Sequence, residues 1–143
     1  MYKLAISTSG EYVSAAIFEE KLLASFVSKT NRGSTGILLN QINELFDKTK
    51  ASRKDLSALY LDVGPGYYTG LRIGLSVSQG LGAVLGIPII PVNGLDALAF
   101  AAHTSHRKIC SLIDIKRSEF AYCEYMPVPG GVTRESDPEV ISV

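Results

Sequence analysis

Gly64-Pro65-Gly66-Tyr67-Tyr68-Thr69-Gly70-Leu71-Arg72-Ile73-Gly74 follows the apolar run Ala58–Val63 and leads into a second apolar run ending near Leu85. Physically this is a strand-to-helix turn. Gly64 and Gly66 permit backbone angles closed to other residues, and Pro65 stiffens the path between them. Thr69 is placed to cap the helix, with Gly86 and Pro88 to stop it. A helix start exposes unpaired N–H groups that can attract an anion. No Lys follows the last glycine, so this is not a phosphate loop of the G-x-x-x-x-G-K-[ST] kind. The turn either holds an anion or is a tight connection without a ligand, and its residues alone leave both open.

Beyond the turn, Gly70, Gly74, Ser78 and Gly82 recur every fourth residue and form one stripe of small side chains. Leu71, Ile73, Leu75, Val77, Leu81, Val84 and Leu85 surround that stripe on nearly every other side. A helix apolar almost all round is expected to be buried on two faces, one of them against a sheet. The small stripe lets another helix come close, either the Ser34–Lys50 helix or one from another chain. Alternatively, the whole helix is internal to its own domain. Arg72, Gln79, Pro88 and Pro91 interrupt the run and argue against a membrane span.

Working outward, Lys3–Ser9, Tyr12–Glu19 and Lys21–Thr30 read as a three-strand meander divided at Ser9-Gly10-Glu11 and Glu19-Glu20-Lys21. In Ser34–Lys50 the residues Ile37, Leu38, Ile42, Leu45 and Phe46 recur at helical spacing, with Ser34 or Thr35 as cap. Ile87–Val92 is a strand, and Asn93 opens a third helix with Asp96 three residues on, a loose capping-box pattern. Strands at Lys108–Ile115 and Glu119–Met126 follow, joined by Lys116-Arg117-Ser118. The order βββαβαβα predicts an α/β protein with a mixed sheet covered by helices. It is the order of one actin-, hexokinase- or Hsp70-like (ribonuclease H-like) lobe. Residues 1–107 are read as that lobe. Residues 108–143 are read as the start of a second, incomplete lobe, because Val132–Val143 is too short to finish it.

The 14 basic and 14 acidic residues cancel, which argues against direct, stand-alone binding of nucleic acid. Cys110 and Cys123 lack metal-ligand spacing. They are equally distant from the Lys116-Arg117 turn and so can face each other across a hairpin, although two reduced, buried thiols are the simpler reading. Met1–Ile6 enters a strand pattern at once, without a signal-peptide pattern, so the expected compartment is the cytoplasm. His103 and His106 have no third ligand at useful spacing and read as solvated groups at a helix C-terminus. No G-x-S-x-G elbow occurs, so no catalytic residue and no metal ligand is assigned.

The Gly64–Gly74 run resembles the G-P-G-S-F-T-G-L-R-I-G signature of the TsaB (YeaZ) family, with Tyr67-Tyr68 where Ser-Phe is usual. Leu4–Ser9 is similar to that family's opening strand, which usually ends Asp-Thr-Ser. Ile37–Phe46 is similar to its first helix, Ile87–Ala99 to its I-P-[VI]-x-x-V-[ST]-S-L-x-A-[LM]-A stretch, and Ser111–Tyr122 to its I-D-A-R-x-x-[EQ]-V-Y segment. The resemblance implies an actin-like two-lobe fold and a degenerate relative of TsaD, the subunit that transfers threonylcarbamoyl to the adenosine beside the tRNA anticodon. It further implies pairing with a TsaD-like subunit through the two helices, on a surface including Ile37, Gln41, Leu45, Gly70, Leu71, Gly74, Ser78 and Gly82. Self-pairing by the same surface and assembly with a TsaE-like ATPase subunit are implied as well, with tRNA reached only through the complex.

Three departures bear on nucleotide use. Ser7 stands where the family usually has Asp, and a hydroxyl is a poor Mg²⁺ anchor. Ser34 stands where a His often begins the first helix. The family also usually extends well beyond this length. Ser7, Thr8, Ser9 and Asp114 are therefore positions of at most a degenerate nucleotide site, with no cofactor expected for the isolated chain and ATP or ADP with Mg²⁺ only in a complex. The competing readings are a small-molecule kinase of the same fold and a homodimeric interaction protein with an acquired role.

Overall fold

The computed structural model describes residues 1–29, 34–104 and 106–142, without the side chains of Ser34 and Thr35. The expected cap at Ser34 or Thr35 and the strand end at Thr30 lie outside the described residues. Strands β1 (Tyr2–Ser7), β2 (Tyr12–Phe18) and β3 (Leu22–Lys29) form the antiparallel meander. Helix α1 (Ser34–Thr49) and a 3₁₀ turn at Arg53–Asp55 lead to β4 (Leu56–Asp62). Helix α2 (Tyr68–Leu85), β5 (Ile89–Val92) and α3 (Gly94–Ala101) follow. The first sheet runs β3-β2-β1-β4-β5, with β4 parallel to both β1 and β5. A second sheet is built on β7 (Glu119–Val128). It pairs β6 (Ile109–Lys116) on one side and β8 (Gly131–Arg134) with β9 (Glu139–Ser142) on the other.

Alternation in β1, β2 and β4 sends Leu4, Ile6, Val13, Ala15, Ile17, Leu59 and Leu61 to one face. Leu38, Ile42, Leu45 and Phe46 of α1 and Val77 of α2 close over that face and complete the main core. Leu45, one of the expected pairing residues, is therefore a core residue, while Ile37 and Gln41 are half-buried. Helix α3, counted above with the first lobe, packs instead on the second sheet. Leu95 and Ala99 join Ala121, Cys123 and Tyr125 in a separate cluster.

The small stripe on α2 meets neither α1 nor open solvent. A Cβ on Gly70 would lie 1.9 Å from the Thr8 carbonyl oxygen, and one on Gly74 would lie 2.4 Å from Thr8 Oγ1. One on Gly82 would meet Ile89 and the Ile87 carbonyl at 3.2–3.3 Å. The expectation that this stripe receives another helix is thus corrected: it seats α2 against the ends of β1, β4 and β5. Spacing alone identifies a face of small residues, and a strand edge fills such a face as well as a helix does. Ser78 is fully buried there, and its hydroxyl has no hydrogen-bond partner. It serves as a small residue, so Ser78→Ala should hold or raise stability, by up to ~1 kcal/mol, in a thermal melt.

Helix ends differ from the sequence reading in two places. The α2 N-cap is Tyr67, which makes no side-chain cap bond, so Thr69 lies inside the first turn. Asn93 does cap α3, accepting from the Leu95 and Asp96 N–H groups. Asp96, however, turns away to the second sheet, where it accepts 2.7 Å bonds from Arg134 Nε, Arg134 NH2 and Tyr125 OH.

Burial raises the Asp96 pKa, but the bonds from Arg134 and Tyr125 and the Arg134 charge outweigh it and hold the carboxyl below its ordinary 3.8. A carboxyl lowered by folding stabilises the fold above its ordinary value, and that contribution is lost as pH falls through the folded value. Wild type should therefore lose melting temperature below about pH 4 more steeply than Arg134→Gln. With the two side chains 41% and 42% exposed, solvent screening limits the gain to up to ~1 kcal/mol.

Candidate functional site at the junction of the two sheets

The C-terminal ends of β1 and β4 lie side by side, where the chain leaves β1 for β2 and β4 for α2. In open α/β sheets this is where ligand crevices form. Gly64 takes φ +89°, Gly64-Pro65 is cis, and the turn lies over the end of β1. The Tyr67 N–H donates to the Ser9 carbonyl at 2.6 Å, and Thr8 Oγ1 donates to the Gly70 carbonyl at 2.6 Å. The Gly94 N–H reaches the Gly64 carbonyl at 2.8 Å and ties in the start of α3. A Cβ on Gly66 would stand 2.2 Å from the Ser9 carbonyl oxygen, so the two turns touch backbone to backbone. Backbone of the β1–β2 turn thus packs directly against one side of the α2 start.

Of the four nucleotide-site positions, Ser7, Thr8 and Ser9 come together and Asp114 does not join them. Asp114 lies near the exposed end of β6, paired with Phe120, and accepts from the Lys116 N–H at 2.7 Å. The residue that does join the serines is one the sequence reading passes over. Asp62 Oδ2 accepts from Ser7 Oγ at 2.7 Å and from Ser9 Oγ at 2.6 Å, while its Oδ1 accepts from the Gly64 N–H at 2.8 Å. A signal was available: a carboxylate ends the apolar β4 strand immediately before the motif. A polar residue at a strand end, however, ordinarily reads as part of a turn.

Two openings flank this junction. One, of about 600 Å³, lies on the uncovered face of the first sheet and is lined by Ser7, Ser9, Tyr60, Asp62, Leu98 and Ile113 among others. The other, of about 850 Å³, lies at the start of α2 between Thr69, Leu71 and the β6–β7 turn. Lys116, Arg117 and Ser118 of that turn all have positive φ. Lys116 Nζ sits 4.3 Å from the centroid of the Tyr67 ring and 3.7 Å from Glu11 Oε1, so the second sheet closes onto the motif turn. Tyr67, bulkier than the usual residue there, thus has a cation as neighbour. Tyr68 points outward, 74% exposed, with the Arg72 guanidinium 5.4 Å from its ring centroid.

The cysteines do not face each other across the hairpin. Cys110 pairs with Glu124 and is exposed, whereas Cys123 pairs with Ser111 and is buried. The hairpin closes on Arg117-Ser118, and even after the register shift between Asp114 and Lys116 the two thiols are not partners. His103 stacks on Phe100 with ring centroids 4.9 Å apart, and His106 is exposed. Among the described residues, no group of three His, Cys, Asp or Glu is placed to hold a metal ion, and no helix is long and apolar enough to cross a membrane.

Comparison with known proteins gives this geometry a class. A family model described as "TsaD: tRNA N6-adenosine threonylcarbamoyltransferase" matches residues 22–141. A tRNA threonylcarbamoyladenosine biosynthesis protein TsaB from Buchnera aphidicola (subsp. Schizaphis graminum) is 30% identical over 125 residues, which is 86% of this chain and 60% of that protein. The solved structure of YeaZ from Pseudomonas aeruginosa superposes with a TM-score of 0.88 at 27% identity, over 99% of this chain and 67% of that one. A ROK hexokinase from Thermus thermophilus shares the fold alone, with a TM-score of 0.52 at 16% identity over 92% of this chain and 47% of its own.

The sheet order and the β1/β4 junction thus define an α/β protein of the actin and hexokinase class. Within that class, the chain belongs to the TsaB (YeaZ) family of tRNA threonylcarbamoyladenosine biosynthesis proteins. It spans about 60% of the length of the curated TsaB relative above.

Proposed function

We propose that the chain acts as a non-catalytic partner of a TsaD-like subunit in forming threonylcarbamoyladenosine in tRNA beside the anticodon. The observation that carries this reading is the family match over residues 22–141, taken with relatives that bear the TsaB name. Two physical features support it. The β1–β2 turn is tied to the start of α2 by the Ser9–Tyr67 and Thr8–Gly70 bonds, so the Tyr67 N–H is already engaged within the chain. The exposed side of α2 carries Tyr68 and Leu75, 74% and 44% exposed and seven residues apart, toward one edge, and Val84, 85% exposed, about half a turn round the axis at the other, apolar positions available to a partner.

On this reading the pairing surface is the exposed side of α2 with the neighbouring α1, where Leu39 is also exposed. The buried stripe acts only by holding α2 in place. A homodimer of the isolated chain uses the same side, a TsaE-like ATPase joins the larger assembly, and tRNA is reached through the complex. Reconstitution is the test. Purified TsaD-like subunit with tRNA and threonylcarbamoyl donor should form the modified nucleoside several-fold faster when this chain is added. No acceleration at saturating chain would overturn the reading.

A narrower expectation concerns nucleotide. With the β1–β2 turn closed against α2, the chain alone should bind ATP with a Kd no tighter than roughly 1 mM, equivalent to about −4 kcal/mol. Titration calorimetry with Mg²⁺ checks this, and micromolar binding would favour the kinase alternative.

A further inference from the structure

The carboxylate of Asp62 is shared between two turns that must stay in register, and neither serine beside it has that charge. In the family pattern the acidic residue stands at position 7, on β1. Here position 7 is Ser7, and the acid stands one strand over on β4, in the parallel register that pairs Ile6 with Leu61 just before it. Ser7 Oγ lies within 2.7 Å of the Asp62 carboxylate, so one anionic group serves both strand ends.

We infer that Asp62 is the positioning residue of the junction, and that the charge at this point is interchangeable between positions 7 and 62. The inference rests on the chain's own geometry and not on the pairing proposed above. Through Ser7 and Ser9 the carboxylate holds the β1–β2 turn, and through the Gly64 N–H it holds the start of the motif turn. The Tyr67–Ser9 and Thr8–Gly70 bonds that seat the start of α2 depend on those two turns staying together.

A chemical exchange of the two residues preserves every role. A serine at position 62 can accept from the Gly64 N–H in a short side-chain turn, as Ser and Asp both do. It can also donate to a carboxylate placed at position 7. Ser9 Oγ, now 3.5 Å from Ser7 Oγ, is close enough to donate to that carboxylate as well. A carboxylate at both positions places two like charges within hydrogen-bond distance, and a carboxylate at neither leaves the serines without the shared anionic acceptor that joins the two turns.

The test is a four-member set on the whole chain: wild type, Asp62→Ser, Ser7→Asp, and the double change. Each single variant should melt roughly 5–10 °C below wild type. In each, amide exchange at Gly64 and Tyr67 should quicken by about ten-fold or more relative to the β2 and β4 amides. The double change should recover most of both losses. Asp62→Asn keeps an acceptor for Gly64 and nearly the shape of Asp62 but puts an amino group where the serines need an oxygen, so it too should melt below wild type. A double variant no more stable than the weaker single variant would overturn the inference. Wild-type melting and exchange in Asp62→Asn would overturn it equally.

Discussion

Replacing Gly70 with alanine should cost the fold about 3 kcal/mol or more, and so lower the melting temperature by roughly 10 °C or more. The added Cβ would stand 1.9 Å from the Thr8 carbonyl oxygen, which is backbone and not the movable end of a side chain. Thr8 cannot retreat alone. Its hydroxyl donates to the Gly70 carbonyl, and the neighbouring Ser9 carbonyl accepts from Tyr67 N–H. Making room therefore means separating the β1–β2 turn from α2 and losing both bonds. Gly80, on the exposed side of the same helix, is the control, because a Cβ there meets nothing within 4 Å. Gly80→Ala should hold or raise stability by up to ~1 kcal/mol, the ordinary helix gain over glycine. Melts of the two variants check the assignment of the stripe to the chain's interior. Equal melting temperatures would contradict it.

The second large effect concerns association without any loss of fold. Leu75 and Val84 lie on the exposed surface of α2 and contribute little to the core. They stand about half a turn apart round the axis, so changing both to glutamate puts a charge on each edge of the exposed side, and one buried within an interface would be left unpaired. Affinity for a TsaD-like subunit should fall by roughly a hundred-fold, about 2.7 kcal/mol, with the melting temperature unchanged. Sedimentation velocity and a thermal melt on the same sample separate the two properties. A variant that pairs as wild type does would place the partner elsewhere.

The order of elements was legible because alternation, helical spacing and glycine turns all pointed the same way. Leu4, Ile6, Val13 and Ile17 alternate as strands must, and the Gly-Pro-Gly turn marks the switch from strand to helix. What opposes each face was not legible. The four-residue spacing of Gly70, Gly74, Ser78 and Gly82 defines a surface of low bulk, and only the packed chain shows β1, β4 and β5 filling it. The cysteine register failed for a related reason. Equal distance from Lys116-Arg117 would make the cysteines partners, but the hairpin closes on Arg117-Ser118, and even after the shift between Asp114 and Lys116 Cys110 faces Glu124. Of the candidate site, Ser7, Thr8 and Ser9 were found from the strand pattern and the resemblance. Asp62 was missed because its role depends on a neighbour 55 residues away, across a parallel pairing that local sequence does not encode.

The most direct test of the functional reading is the equilibrium affinity of this chain for the TsaD-like subunit of its own cell. It is measured by titrating one purified protein into the other at physiological salt. A specific, saturable one-to-one complex with a Kd of about 1 μM or tighter, equivalent to roughly −8 kcal/mol, is the predicted result. That complex should be lost in the Leu75→Glu/Val84→Glu variant. No detectable complex at about 100 μM of each protein, with both shown to be folded, would contradict the account.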